Sequence, residues 1–187
     1  MPVTTLDPKT ALIIVDLQKG IAALPVVHSM NEVVGNSRRL ADAFRERGLP
    51  VVLVNVDAGA PGRTEQPRPA RAFEPDWAVL LPELDSKPTD ILVTKKSWGA
   101  FATTDLEQKL KSLGVTQVVI TGVATSAGVE STARQAYEHG FNVTLATDAM
   151  TDMSQAAHEA SIANIFPRIG ETGTTEEIVD LLKGPRG

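Results

Sequence analysis

One local pattern recurs three times along the chain: a helix-like stretch with a polar face, a glycine, and then an apolar run. The three copies are RLADAFRERG before LPVVLVNV, DLEQKLKSLG before VTQVVITGV, and TARQAYEHG before FNVTLATD. Their glycines, Gly48, Gly114 and Gly140, stand where the residue after a helix takes a left-handed conformation. The apolar runs are rich in valine and isoleucine, which is typical of strands covered on both faces. The pattern therefore predicts βαβ units and a mainly parallel sheet between two layers of helices.

Three further runs complete the predicted sheet. Ala11 to Val15 and Asp90 to Thr94 predict two more strands, and a short sixth strand is expected near Ile169 to Thr172. We therefore expect a doubly wound, three-layer α/β/α fold with six strands. The stretch TTEEIVDLLKGPRG predicts a final helix with Thr174 as its N-cap and Glu177 completing a capping box. A chain of 187 residues is expected to form one domain over residues 1–187.

Composition disfavours several classes of function. The formal net charge is −5, from 18 Lys+Arg against 23 Asp+Glu, which disfavours binding to nucleic acid. The longest apolar stretches are strand-sized, so no membrane span is expected, and MPVTTLDPK lacks the pattern of a secretory signal. We therefore expect a cytoplasmic protein. The chain has no cysteine, which excludes disulfides, thiolate metal ligands and a cysteine nucleophile.

The segment from Asp57 to Lys87 interrupts the alternation of helices and strands. It contains GAPGRTEQPRPARAFEPDW, which is dense in proline and arginine and too long for an ordinary connector. Because it follows the carboxyl end of a predicted strand, we expect a loop that covers a site. One of its arginines (Arg63, Arg68 or Arg71) could hold a substrate carboxylate, and a solvated surface loop is the alternative.

Polar residues leave the predicted strands at the edge where ligands bind in open parallel sheets. They are Asp16 and Gln18 after the first strand, Asn55 and Asp57 after the second, Lys95 and Lys96 after the third, and Asp148 after the fifth. Asp16 follows the apolar run ALIIV, so burial should raise the pKa of its carboxyl while a nearby ammonium would lower it. Such tuning suits a general acid or base, and a structural ion pair is the alternative interpretation.

The fourth predicted strand runs into a stretch of small residues, Gly122 to Gly128, at the start of a helix. Backbone N–H groups there can approach a ligand closely, and the helix dipole favours negative charge. The stretch lacks the lysine of a P-loop, the G-x-G-x-x-G fingerprint and the G-x-S-x-G elbow. It predicts a nest for an oxyanion or carboxylate, with tight packing of a helix start as the alternative. We expect Ser126 to cap this helix.

Three segments together resemble the isochorismatase-like hydrolase superfamily: ALIIVDLQKGI, VTKKSWGAFATTDLEQKL and VVITGVATSAGVESTARQAYEHGFNVTLATDAMTD. In that family an aspartate after the first strand, a lysine before an x-x-x-x-A-F pair and a cysteine opening a helix form the catalytic triad. The resemblance assigns the first two roles to Asp16 and Lys95 and places Gly128 at the cysteine position. It also implies a cis peptide between Val123 and Ala124, with an oxyanion hole formed by the N–H groups of Ala124 and Gly128.

Without a side chain at position 128, covalent catalysis there is impossible. Thr125 and Ser126 precede that position and are expected to point elsewhere. The resemblance then implies the chemistry of the isochorismatases, in which protonated Asp16 donates to an enol-ether carbon and Lys95 orients Asp16. The substrate would be isochorismate or a related small carboxylated molecule. Gln18 is expected to bind it as well.

Two aromatic residues and two residues of the nest bear on the substrate. Trp98 and Phe101 are expected to stack on a planar molecule, with plain packing as the alternative. Isochorismatases carry an aromatic residue and a histidine where this chain has Ala124 and Ser126, which leaves the substrate open. A second hypothesis, from another class, is a catalytically retired member that binds a metabolite or acts through assembly.

The resemblance implies a homodimer or homotetramer, whereas the residues of this chain disfavour a metal, and no other cofactor is expected. Nicotinamidases of the superfamily carry an aspartate and paired histidines after the second strand, whereas Asp57 is followed here by Ala58-Gly59-Ala60. His28, His139 and His158 are scattered along the chain and fit no ligand spacing. The stretch DAMTDMSQAAHEASIANIF is interpreted as either an interface or a core helix.

Overall fold

Six parallel strands form one sheet in the order β3-β2-β1-β4-β5-β6. The computed structural model describes residues 2–65 and 74–184, and the structural statements below concern those residues. The strands are β1 (Thr10–Val15), β2 (Val51–Val56), β3 (Ile91–Lys95), β4 (Gln117–Val123), β5 (Asn142–Thr151) and β6 (Glu171–Gly173). The strand order reverses between β1 and β4, and the doubly wound α/β prediction is confirmed.

Seven helices flank the sheet. They are α1 (Lys19–Ala22), α2 (Met30–Glu46), α3 (Leu106–Ser112), α4 (Glu130–Glu138), α5 (Gln155–Ala160), α6 (Phe166–Ile169) and α7 (Thr175–Lys183). A 3₁₀ turn covers Pro82–Leu84, and π-helical turns cover Thr125–Val129 and Ser161–Ile165. The predicted capping box at Thr174 and Glu177 is present at the start of α7. The three predicted left-handed glycines, Gly48, Gly114 and Gly140, have φ of 66°, 72° and 84°.

Side chains alternate between two buried cores, one on each face of the sheet. Leu12 and Ile14 of β1 face the core covered by α2 and α7, whereas Ile13 and Val15 face the core covered by α3, α4 and α6. All of β1 is buried, because the strand lies at the centre of the sheet. Asp16, the residue that follows β1, is therefore held in place by the neighbouring strands β2 and β4.

Strand β5 is longer than the sequence predicts. It continues three residues past Asp148 to Thr151, with a register shift against β4 between Ile120 and Gly122. The prediction that the strand ends at Asp148 is wrong. The Asp148 carboxylate instead accepts hydrogen bonds from the backbone N–H and the hydroxyl of Thr175, the first residue of α7.

The backbones of β1 and β4 approach each other closely near the edge where both strands end. Gly122 has φ of 118°, and a Cβ atom there would overlap the carbonyl oxygen of Val15. A side chain is therefore excluded at Gly122 by both conformation and space. Gly35 is the opposite case, because it lies exposed within α2 with open space around the position of a Cβ.

We predict opposite effects for two glycine-to-alanine changes. Gly122→Ala should lower the free energy of unfolding by more than about 3 kcal/mol, since it combines backbone strain with a clash. Gly35→Ala, the matched control, should raise it by about 0.5–1 kcal/mol, because alanine has the higher helix propensity. Urea denaturation measures both. A Gly122→Ala protein as stable as the wild type would contradict the close approach of β1 and β4.

Candidate active site

Asp16 occupies the point where β1 leaves the sheet. Its backbone is left-handed, with φ of 55°, and its N–H donates to the carbonyl of Val54 at 2.9 Å. A left-handed conformation is uncommon outside glycine and ends the strand at this residue. Residues held in such conformations cluster at functional sites. The backbone of Asp16 is thus fixed by its neighbour β2, and the carboxyl is buried, with 4% of the residue exposed.

Lys95, the last residue of β3, is the partner of Asp16. Its Nζ lies 2.7 Å from Asp16 Oδ2 and donates to the carbonyl of Ser97 at 3.0 Å. Strand β2 lies between β1 and β3, and the long side chain of Lys95 bridges that gap. Only 1% of Lys95 is exposed. Two residues 79 positions apart in sequence thereby form a buried ion pair at the carboxyl edge of the sheet.

Burial and the ammonium act in opposite directions on Asp16. Desolvation raises the pKa of the carboxyl and outweighs the charge and hydrogen bond of Lys95, so that the pKa is about 6. Oδ2 faces the ammonium, while Oδ1 is buried with no hydrogen-bond partner among the described residues. A buried polar atom without a partner calls for an explanation. Since Oδ2 is engaged with Lys95, a proton on this carboxyl resides on Oδ1.

Gly128 lies against Asp16, in the π-helical turn that precedes α4. A Cβ atom at position 128 would be 3.1 Å from Asp16 Oδ2, from the Val123 carbonyl oxygen and from Val15 Cγ1. The peptide bond between Val123 and Ala124 is cis, as the resemblance implied. The structure therefore brings together Asp16, Lys95 and the nest.

The hydroxyl groups of the nest are turned away from Asp16 toward other partners. Thr125 Oγ1 lies 2.8 Å from His158 Nδ1, and both the N–H and the hydroxyl of Ser126 donate to Asp152 Oδ2 at 2.8 Å. The prediction that Ser126 caps the helix is wrong. Ser126 lies inside the π-helical turn, and its own N–H and hydroxyl donate to the Asp152 carboxylate. Sequence analysis missed Asp152, whose only signal was a second aspartate four residues after Asp148 in DAMTD.

Gln18 binds backbone groups of the protein. Its amide nitrogen donates to the carbonyls of Val56 and Trp77 at 3.0 and 2.9 Å, and its oxygen accepts from the N–H of Val56 at 2.7 Å. The side chain is fully buried. The amide is thus engaged with main-chain groups of β2 and of the long loop, and substrate binding by Gln18 stays a prediction.

The end of the long loop is fixed beside the candidate site. Residues 77–81 run antiparallel to residues 17–20, with backbone hydrogen bonds from Lys19 to Val79 and from Leu81 to Leu17. A side chain at Gly20 would overlap the ring of Trp77. Part of the predicted covering loop therefore lies at the edge that carries Asp16.

Other residues predicted at this edge contact groups outside the ion pair. Asn55 donates to the Ala78 carbonyl at 2.7 Å, and Lys96 pairs with Asp57 at 3.4 Å in an exposed position. Arg63 is exposed, and Arg68 and Arg71 lie outside the described residues, so the arginine hypothesis stays a prediction.

The two aromatic candidates differ in environment. Phe101 is 5% exposed, and its ring packs against Phe141 and His139 at centroid distances of 6.0 and 5.4 Å. For Phe101 the structure supports the packing alternative. Trp98 is 67% exposed and stays available to a ligand.

Two of the three histidines meet in space although they are far apart in sequence. The rings of His28 and His158 are 4.6 Å apart, which spacing along the chain did not indicate. Burial lowers the pKa of His158, and the charge of His28 adds to the effect.

No group of three or more histidine or carboxylate side chains within residues 2–65 and 74–184 is arranged to hold a metal ion. Within the same ranges, no helix has the length and apolar character that crossing a membrane requires.

Comparison with known proteins identifies relatives over nearly the whole chain. The isochorismatase domain model matches residues 10–177. An uncharacterised isochorismatase family protein of Bacillus subtilis, YwoC, is 43% identical over 183 residues, covering 94% of this chain and 95% of the relative. The ureidoacrylate amidohydrolase RutB of Variovorax paradoxus is 28% identical over 201 residues, covering 91% and 80%. The structure of an isochorismatase family protein from Burkholderia thailandensis matches with a TM-score of 0.93 and 40% identity, over 96% of this chain and 98% of that one.

We predict that Asp16 titrates near pH 6 and that Lys95 holds its pKa down. Lys95→Met should raise the pKa of Asp16 by about 1 unit or more, because a nearby opposite charge lowers a carboxyl pKa by roughly 1–3 units. Carbon-13 NMR of the aspartate carboxyl groups across pH measures this. Lys96→Met, the exposed neighbour, should leave the titration of Asp16 unchanged. An Asp16 pKa near the ordinary value of 3.8 would refute the balance described here.

Proposed function

The chain belongs to the isochorismatase family, and on this basis we propose that it cleaves a small carboxylated vinyl ether, isochorismate or a relative, by acid catalysis at Asp16. Hydrolases of this family are its relatives. The observation that carries the proposal is the state of Asp16: a buried carboxyl, paired with Lys95 through one oxygen and raised to a pKa of about 6. A general acid works best with a pKa near the operating pH.

The first step is proton transfer. The proton on Asp16 Oδ1 passes to the terminal carbon of the enol ether, and the carbon–carbon π electrons form the new C–H bond. An oxocarbenium ion results, and the Asp16 carboxylate that remains is stabilised by the Lys95 ammonium. Because the ion pair is buried, this stabilisation is stronger than it would be in water.

Water completes the reaction. It adds to the oxocarbenium carbon and gives a proton to the Asp16 carboxylate, which regenerates the acid and leaves a hemiketal. Breakdown of the hemiketal releases pyruvate and the ring alcohol, a dihydroxy-cyclohexadiene acid in the case of isochorismate. We propose that the N–H groups of Ala124 and Gly128 hold a carboxylate of the substrate, and that Trp98 covers the planar ring. A nest at a helix start favours an anion.

A cysteine-dependent amidase mechanism does not fit this chain. The chain contains no cysteine, and the resemblance places Gly128 where the family's nucleophile stands. The hydroxyl groups of the nest, on Thr125 and Ser126, are bound to His158 and Asp152. A nucleophile has to reach its base by a hydrogen bond, and these two do not point at Asp16. We therefore do not extend the amidohydrolase activity of RutB to this chain.

The second candidate function is binding of a metabolite by a family member that has lost catalytic activity. The observation that favours it is Gly128, which has no side chain at the position of the family's nucleophile. Asp16 and Lys95 favour the first. A buried ion pair costs several kcal/mol of desolvation per charge, and a left-handed aspartate adds strain. Catalysis by Asp16 would explain why the chain retains both the desolvation cost and the strain.

On the family resemblance we also propose one domain over residues 1–187 and a homodimer or homotetramer. Light scattering would measure the oligomeric state.

We predict that the purified protein releases pyruvate from isochorismate with a kcat/KM that falls above pH 6. The active form is protonated Asp16, whose pKa is about 6, so activity is present below that pH and is lost by about tenfold per unit above it. Asp16→Asn should reduce kcat at least about 100-fold, the loss typical of removing a general acid. Coupled detection of pyruvate measures both.

Asp90→Asn is the matched control. The side chain of Asp90 is also buried and in an ion pair, with Arg45 at 2.6 Å, but Asp90 lies at the opposite end of β3. The Asp90→Asn protein should be less stable than the wild type but should keep the wild-type kcat at a temperature where it is folded. Turnover without dependence on Asp16 would contradict the acid mechanism. Ligand-induced thermal stabilisation by isochorismate without pyruvate release would favour the retired binder.

A further inference from the structure

The side chains and backbone groups around Asp16 form a closed ring of contacts. Lys95 Nζ joins Asp16 Oδ2 to the carbonyl of Ser97. The turn from Ser97 to Ala100 then leads to Thr132 of α4, which is bonded to the carbonyl of Gly128. Gly128 in turn lies against Asp16 Oδ2. We call this set, Asp16, Lys95, Ser97, Ala100, Thr132 and Gly128, the contact ring.

Thr132 closes the ring with one hydroxyl group. Its Oγ1 donates to the Gly128 carbonyl at 2.7 Å and accepts from the backbone N–H of Ala100 at 3.1 Å. The residue is fully buried. A threonine bonded to the carbonyl four residues earlier is common within helices and by itself has no functional meaning. The second bond is different, because it ties the helix to the turn that receives Lys95.

Gln135, one turn further along α4, holds the same turn. Its Oε1 accepts from the N–H of Phe101 at 3.0 Å. Its side chain also packs onto Gly99 so closely that a Cβ there would overlap it. Two side chains of one helix thus fix three consecutive residues of the turn, residues 99–101.

We propose that Thr132 is a positioning residue that sets the distance between the Lys95 ammonium and Asp16. It touches neither the carboxyl nor a substrate, and acts through the Ser97 carbonyl, which fixes the ammonium from the other side. Gln135 supports it. The proposal rests on the proposed function for its purpose, since an acid at Asp16 depends on the ammonium beside it.

The chemistry of the bridge specifies which substitutions keep it. The bridging atom has to donate one hydrogen bond and accept another at the same time, which a hydroxyl does and a methyl group does not. Thr132→Ser keeps both bonds. Thr132→Val keeps the shape and loses both bonds, leaving the Ala100 N–H buried without a partner, and the turn should move away from α4 to rehydrate it.

The test is the pKa of Asp16, read by carbon-13 NMR on protein labelled at aspartate carboxyl groups, with the signal assigned from Asp16→Asn. In Thr132→Val the ammonium is held less closely, so the pKa should rise by roughly half a unit to one unit, part of the effect of an adjacent opposite charge. Thr132→Ser should titrate as the wild type does. Gln135→Met should shift the pKa in the same direction by a smaller amount, and it carries the test if Thr132→Val does not fold.

Thr144→Val is the matched control, since Thr144 is a fully buried strand threonine that accepts from Gln117 and lies outside the contact ring. It should lose stability without moving the pKa of Asp16. An unchanged or lowered pKa in Thr132→Val, or an equal rise in Thr144→Val, would overturn the proposal. Because the readout is not turnover, a protein that releases no pyruvate yet shows the Thr132→Val shift would refute the proposed function alone.

Discussion

The buried pair of Asp16 and Lys95 is the interaction on which the candidate site depends. At 2.7 Å and almost without solvent, the pair gains a strong attraction but loses the hydration of both charges. The effect of burial outweighs the attraction to Lys95, so the pKa of Asp16 is raised to about 6. A pair poised in this way can exist with or without its carboxyl proton near neutral pH, and that property makes it usable for acid catalysis.

The fold supplies the pair by holding its members from several directions. The central position of β1 buries Asp16, and the contact of Gly122 with Val15 fixes how closely β4 and its nest approach. Lys95 is placed by the edge strand β3 and by the Ser97 carbonyl. Parallel strands all end at one edge, so residues far apart in sequence meet there without a dedicated loop. The sheet and the helix α4 together do the positioning.

Much of this could be predicted from sequence because the signals are local. Runs of valine and isoleucine predict strands, glycines predict helix ends, and the residue after a central strand, Asp16, faces the ligand edge whatever else the chain does. Strand ends are less local, since they depend on how far a neighbour pairs. Strand β5 continues past a register shift against β4 and ends at Thr151 instead of Asp148, and no residue within the strand indicates that shift.

Side-chain direction is the other property that sequence did not predict. Gln18 was expected to face a substrate but satisfies backbone groups of Val56 and Trp77, because a buried amide must find partners wherever the neighbouring segments provide them. The contact of His28 with His158 likewise requires a tertiary fold. A pattern of residue types specifies which groups reach an edge of a sheet, whereas the packing of neighbouring segments decides where each group points.

Glycine at position 128 and an acid at Asp16 are physically consistent with each other. A side chain at 128 would begin 3.1 Å from Asp16 Oδ2, and any donor it carried would stabilise the carboxylate and lower its pKa. Glycine offers no such donor, so Lys95 alone opposes the effect of burial and the carboxyl keeps its proton to a higher pH. Because residue 128 has no side chain, it cannot act as a covalent nucleophile. The same absence keeps the pKa of Asp16 raised, which favours Asp16 as a proton donor.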